Sequence, residues 1–198
     1  MDVFRIRGHE VEYLDDCHAY VVDGVILPSV TQVIRTKFSH KYDHVSKEVL
    51  ERASDKGTAV HKAIEDWCKR GIDNPDMKEL RNFKVLERLY GFKVLDNEVP
   101  VVLFKDEQPI IVGRLDLVLQ EGNDTLIGDI KRTSTLDRNY LAYQLNMYRI
   151  AYQQSYGKTI TGLRGVHLKD DTRRYIKIPI NEEMTWQLIN DYLKGKED

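Results

Sequence analysis

Asp116, Asp129 and Lys131 are the residues whose types and spacing point most directly to chemistry in this chain. Two apolar, alternating runs carry them, one from Val112 to Leu119 and one from Thr125 to Lys131. Gly122-Asn123 between the runs suits a tight two-residue turn, so the stretch is expected to be a β-hairpin. If the turn lies there, Glu121 pairs with Asp124 and Asp116 comes opposite Asp129. Opposed residues share a face of a sheet, and Lys131, two residues beyond Asp129, shares it as well. Leu115, Leu117 and Leu119 on one arm, with Leu126, Gly128 and Ile130 on the other, are expected on the core face.

Two carboxylates facing each other repel, and an apolar setting raises the cost. A divalent cation between them removes both problems, and oxygen ligands of this kind suit Mg²⁺ or Mn²⁺. A lysine beside such an ion can position a water and offset charge developing on a phosphoryl oxygen. The plainer alternative is a solvated hairpin with a cross-strand Asp–Lys pair.

The rest of the chain must position these groups. Its 198 residues are enough for one domain with a sizeable core. The net charge is −2, with 30 Lys+Arg against 32 Asp+Glu, so no global cationic field advertises nucleic acid, and any such binding must use a local patch. Cys17 and Cys68 lack metal-ligand spacing and fit a reducing compartment, with neither a disulfide framework nor an iron–sulfur cluster expected. No apolar run is long enough to span a bilayer, and no membrane partner is expected.

Residues 1–28 are expected to hold a small β meander, with strands over 10–27 and turns at Asp15-Asp16 and Asp23-Gly24. Residues 29–90 form a helical region. Ser29 caps a short helix through Val30, Val33 and Ile34. Residues 36–45, with Lys37, His40, Lys41 and His44, are a polar, mildly basic loop. Ser46 opens a helix to Arg70, with a possible break at Gly57 and a buried stripe of Val60, Ile64 and Trp67. His61 and Glu65 lie one turn apart beside that stripe. Asn74-Pro75 separates this helix from the next, whose apolar face holds Leu80, Phe83, Leu86, Leu89 and Tyr90. Residues 91–198 form the sheet core with flanking helices. Glu98 sits early in the strand next to the hairpin. A helix led by Asp137 or Arg138 runs to Gln154 and places Gln144 and Tyr148 on one face. Tyr148 suits core packing and Gln144 suits exposure, while Tyr140, Tyr143 and Tyr152 are core or surfaces for stacking an unpaired base. Two strands at 161–168 and 174–178 follow, and Asn181 caps a last helix. The order predicts an α/β fold, a mixed central sheet flanked by helices.

At this point the chain resembles a known family. Asp116 followed by Asp129-Ile130-Lys131 looks like the PD-(D/E)XK nuclease core, with Asp in the second acidic place. His61 in Gly57-Thr58-Ala59-Val60-His61 resembles the upstream histidine motif of the RecB-like branch. Gln144-Leu145-Asn146-Met147-Tyr148 matches that branch's Q-x-x-x-Y motif. Val22 to Thr31 is similar to the opening of the mitochondrial genome maintenance exonuclease and of small phage exonucleases. The motifs occur in the family's order, over about residues 20 to 195. In two respects the chain departs from the pattern. Asp116 follows Gly113-Arg114-Leu115 rather than a proline, and the cysteines that hold an iron–sulfur cluster in some relatives are absent.

The resemblance implies a single nuclease domain over 1–198 with a restriction-endonuclease-like core. It implies Mg²⁺ or Mn²⁺ held by Asp116, Asp129, the Ile130 carbonyl and His61, with Lys131 positioning the attacking water and Glu98 as an acidic helper. Gln144 and Tyr148 would shape the site and contact nucleic acid, and Glu65 is a lesser candidate. Arg114, Arg132, Lys62, Thr133 and Ser134 would touch phosphates, which carry no sequence information. The activity implied is a DNA exonuclease working on single- or double-stranded ends. Its setting would be cytoplasmic, in phage or bacterial recombination or repair, with a single-strand annealing or binding protein as a partner. Two alternatives remain: a flap or branch endonuclease, and a non-catalytic DNA-binding subunit on the same fold.

Overall fold

The computed structural model describes residues 2–14, 19–39 and 45–195. The Asp15-Asp16 turn, Cys17, and His40, Lys41 and His44 of the basic loop lie outside the described residues.

Four antiparallel strands open the chain in the order β1-β2-β3-β4: β1 Asp2–Ile6, β2 His9–Leu14, β3 Ala19–Val22 and β4 Val25–Leu27. The meander thus has one strand more than the alternation over 10–27 suggests. Asp23-Gly24 turns β3 into β4 with both residues at positive φ, as expected of an Asp-Gly hairpin turn. Ser29 caps α1 (Val30–Lys37) in a reciprocal capping box with Gln32.

Helix α2 (Lys47–Arg70) runs unbroken through Gly57 and ends at Gly71, whose φ is 66°. That end at Arg70 is the expected one, and the left-handed glycine satisfies the last carbonyls and stops the helix. Helix α3 (Lys78–Tyr90) buries Leu80, Phe83 and Leu86, but Leu89 is 69% and Tyr90 50% exposed. The expected apolar face therefore stops at Leu86. Leu89 is nine residues from Leu80, about two and a half turns, which carries it to the opposite side of the helix.

The main sheet has the order β5-β6-β7-β8-β9, with strands β5 Lys93–Lys105, β6 Gln108–Glu121, β7 Asp124–Lys131, β8 Gly162–Lys169 and β9 Thr172–Ile178. All neighbours are antiparallel except β7 and β8, which are parallel and joined over the sheet by α4 (Arg138–Tyr156). Asp137 caps α4, and Asn181 caps α5 (Glu182–Lys194). This is an α/β fold with a mixed five-stranded sheet flanked by helices. One core packs α1, α4 and α5 against the sheet, and a second packs α2 and α3. A third lies between the meander and the far ends of β5 and β6. No helix among the described residues is long and apolar enough to cross a membrane.

The hairpin register is as expected from Glu121↔Asp124 to Leu117↔Gly128. The facing of its core residues is not. Leu117 and Leu119 join the cluster under α2 and α3, but Leu115 joins the cluster under α4. Alternation therefore breaks at Asp116. On the partner strand Asn97 pairs with Leu117 and Val99 with Leu115, so Glu98 falls opposite Asp116, and its φ is 52°. A left-handed glutamate inside a strand is a local kink, and kinks of this kind re-aim side chains.

Candidate metal centre and its cleft

The break in β5 and β6 is where the chemistry-bearing side chains meet. From α2, His61 brings its Nδ1 to 3.5 Å from Glu98 Oε1 and 3.6 Å from Asp116 Oδ1. Its Nε2 lies 3.2 Å from the Ile130 carbonyl. His61, Glu98 and Asp116 each offer a ligand atom within 4.8 Å of the others. The structure thus brings His61, expected at the site, to Asp116, and Glu98, expected as an acidic helper, stands with them.

Asp116 and Asp129 do not simply face each other across a ladder. The paired register stops at Leu117, and Asp116 Oδ2 instead accepts the Ile130 backbone N–H at 2.6 Å. Asp129 is 1% exposed, and its Oδ2 lies 2.5 Å from the Lys131 ammonium. Among the described residues, Asp129 Oδ1 finds no hydrogen-bond donor. Asp129 is thus paired with Lys131 and is not one of the three residues whose ligand atoms lie within 4.8 Å of one another.

Charge is poorly balanced here. Burial raises the Asp129 carboxyl, Lys131 opposes it, and the Asp116 charge adds to it, leaving the group at about 6. Burial also raises Asp116, against the pull of His61 and Lys131. Burial alone would lower the His61 imidazolium, but Asp116 and Glu98 outweigh it and push it up to about 9. Lys131 is raised because Asp129 and Asp116 outweigh its own burial. Each proton that this site holds near neutrality is a proton that a cation would displace.

Gln144 and Tyr148 of α4 are buried, each 5% exposed, with Tyr148 close enough to feel the charges of Asp116 and Asp129. The expected exposure of Gln144 is not found. As placed, the pair forms the floor of the site rather than a surface that a strand could touch. Burial and the nearby Asp116 and Asp129 hold the Tyr148 phenol well above its ordinary range, so it remains a neutral hydroxyl. Gly113 makes this floor possible. A Cβ there would come within 2.7 Å of Tyr148 Cε1. Sequence reasoning missed Gly113, although a lone glycine inside a strand is a signal of close approach.

An open cleft of about 470 Å³ adjoins the group. His61, Glu65 and Lys62 line it from α2, Glu98 and Lys131 from the sheet, and Arg132 and Thr133 from the turn after β7. Lys62 lies 2.8 Å from Asp66 and 3.3 Å from Glu65. Arg132 donates to Glu79 at 2.7 Å, which ties the turn to α3. Ser134 is exposed in the same turn. Arg114 does not line the cleft; its guanidinium lies 5.2 Å from the Tyr13 ring and 5.7 Å from the Phe4 ring of the meander. His167, unremarked in the sequence, is 3% exposed, pairs with Lys131 in the parallel ladder and places Nε2 2.7 Å from the Thr133 carbonyl. Only the tertiary structure brings it to the turn.

No protein-family model matches this chain. No curated protein matches it either. Among solved structures it is similar to the crystal structure of SSO0001, with a TM-score of 0.50 and 16% identity over 84% of this chain and 74% of that one. At that identity the likeness concerns the fold alone.

Proposed function

We propose that this chain is a metal-dependent deoxyribonuclease of the PD-(D/E)XK type with a restriction-endonuclease-like core, acting as an exonuclease in DNA recombination or repair. The observation that carries the reading is the convergence of His61, Glu98, Asp116 and the Ile130 carbonyl beside the Asp129–Lys131 pair, on the wall of an open cleft.

The donors suit a divalent cation. They are carboxylate, carbonyl and imidazole groups, a set that accepts Mg²⁺ and favours Mn²⁺ through its nitrogen. The unanswered Asp129 Oδ1 is a further buried oxygen ready for a partner. Asp116, Glu98, His61 and the Ile130 carbonyl would hold the ion, with Asp129 able to join them. Once bound, the metal supplies Lewis-acid polarisation of a phosphoryl oxygen and a lowered water pKa.

The chain's own residues do the rest. Lys131, anchored by Asp129, holds a positive charge where a pentacoordinate phosphate would build negative charge, and can orient a water for in-line attack. Glu98 and Asp116 keep His61 in place. Tyr148 and Gln144 keep the floor closed to solvent, which strengthens every electrostatic interaction above it. Lys62, Arg132 and Thr133 are placed for phosphate contacts that carry no sequence preference, while Arg114 serves the meander.

The test is digestion of end-labelled DNA, single- and double-stranded, linear and circular, with Mg²⁺, with Mn²⁺ and with EDTA. Release of nucleotides from linear substrates only, dependent on metal, is the expected result. Nicking of circles would make the enzyme an endonuclease, and no cleavage with either ion would overturn the nuclease reading.

A further inference from the structure

Gly57 stands near the middle of α2, where glycine is the costliest residue other than proline because it loses most backbone freedom and buries nothing. Other glycines of this protein have visible reasons. Gly71 and Gly91 take a left-handed φ at helix ends, and Tyr148 fills the space in front of Gly113. Gly57 has neither reason. It lies within an unbroken helix, and among the described residues a Cβ built on it would meet no atom within 4 Å beyond its chain neighbours and its own turn of helix backbone.

That vacant space belongs to the cleft. Gly57 lies on the cleft wall four residues before His61, so the two are stacked on one helix face. Thr58 and Lys62, also four apart, offer a hydroxyl and an ammonium to the same cleft. The Lys62 pairs with Glu65 and Asp66 are solvent-exposed and weak enough for the ammonium to be shared with a phosphate.

We propose that Gly57 sets the path of the substrate: an extended phosphodiester strand runs from the metal group across α2, and its sugar–phosphate backbone occupies the space that a side chain at position 57 would take. The phosphate next to the scissile one then lies between Thr58 and Lys62. This inference rests on the nuclease reading. A compact substrate held only at His61, Glu98 and Asp116 would not reach back a full helical turn, about 5 Å.

The geometry makes stability and activity move in opposite directions, which a merely structural glycine would not do. Gly57→Ala should melt about 2 °C higher than wild type, and Gly57→Leu no lower, since both improve helix propensity and meet no protein atom. DNA cleavage with Mg²⁺ should fall about tenfold in Gly57→Ala and about a hundredfold in Gly57→Leu, the scale expected when a substrate is displaced by an ångström or so. Binding of a labelled DNA oligonucleotide in Ca²⁺ should weaken in the same order. Ser54→Ala, on an exposed part of α2 outside the cleft lining, gains helix propensity too and should cleave as wild type does. Cleavage by Gly57→Leu within twofold of wild type would overturn this inference and leave the nuclease reading intact. A parallel fall of melting temperature and cleavage would also overturn it, by making the glycine structural. Absence of cleavage by wild type itself would overturn both.

Discussion

The two ends of the β6–β7 hairpin each bury acidic and basic groups, and they treat charge in opposite ways. At the turn end, Glu121 is answered completely. Arg164 donates to both its oxygens, at 2.9 and 2.6 Å, and the Tyr175 hydroxyl adds a third bond at 2.5 Å. Burial would raise the Glu121 carboxyl, but Arg164 and Tyr175 outweigh it and hold it below the ordinary carboxylate range. At the open end, Asp116, Glu98 and Asp129 face Lys131 and His61, Asp129 Oδ1 has no donor among the described residues, and both aspartates are raised. Similar strands thus carry a satisfied ion pair at one end and an unsatisfied one at the other. A charge cluster built for stability closes its own account of donors and acceptors, whereas one built to receive a ligand leaves part of it open.

The contrast is tested first by chemistry. Lys131→Ala should lower DNA cleavage at least about a hundredfold while DNA binding stays within a few fold, because its ammonium serves the transition state rather than the ground state. Cleavage rates together with filter or anisotropy binding check this. Activity within tenfold of wild type would remove Lys131 from the reaction.

Stability tests it next. Glu121→Ala strands the Arg164 guanidinium, which is 7% exposed, and should cost about 2–3 kcal/mol with or without metal. Asp129→Asn should do the reverse in EDTA. It relieves about 1 kcal/mol of repulsion and should melt roughly 2–4 °C above wild type. With saturating Mg²⁺ the order should invert, since wild type gains the ion in its folded state and the variant has lost an oxygen charge. Melting curves in EDTA and in Mg²⁺ decide it. A wild type with no Mg²⁺-dependent rise would show that the open end does not hold the ion.

The two ends should also differ in pH dependence. An acid whose folded pKa is raised contributes stability that is complete below its unfolded pKa and lost as pH rises through the folded one. For Asp129 that window runs from its ordinary value to about 6. His61, raised to about 9, likewise stabilises fully below its ordinary value of 6.5 and loses that contribution as pH rises to about 9. In EDTA the melting temperature should therefore fall from pH 6 to pH 9, and His61→Ala should flatten the fall. Glu121, with a lowered pKa, contributes stability that is lost only as pH falls into the acid range, so Glu121→Ala should leave the slope between pH 6 and 9 unchanged.

The smallest effect concerns ion choice. His61→Ala should lose more activity in Mn²⁺ than in Mg²⁺, by about threefold, because nitrogen ligands favour the softer ion. Equal losses in parallel rate measurements would place His61 outside the coordination sphere.

Much of the fold was legible because local chemistry dictated it. Ser29, Asp137 and Asn181 cap helices where their side chains satisfy free N–H groups. Gly122-Asn123 sets the register of the hairpin, and period-two alternation marks most strands. The strand β1 went unread because a five-residue segment offers little periodicity. Helix α2 ends at Arg70 as expected, and it runs on through Gly57, where a break was possible.

By itself, the sequence determined the mixed α/β order and the hairpin, and its spacing made Asp116, Asp129 and Lys131 candidates, while His61 became one only through the resemblance of Gly57-Thr58-Ala59-Val60-His61 to a family motif. Tertiary structure alone decided that Glu98 stands beside His61 and Asp116, that Gln144 is buried, that the Arg114 guanidinium lies near the Tyr13 and Phe4 rings, and that Leu115 and Leu117 face different cores. The physical reason is common to all four. Each depends on the kink at Glu98 and Asp116 or on packing between elements far apart in the chain, and neither a left-handed φ inside a strand nor a contact across fifty residues leaves a mark in local periodicity.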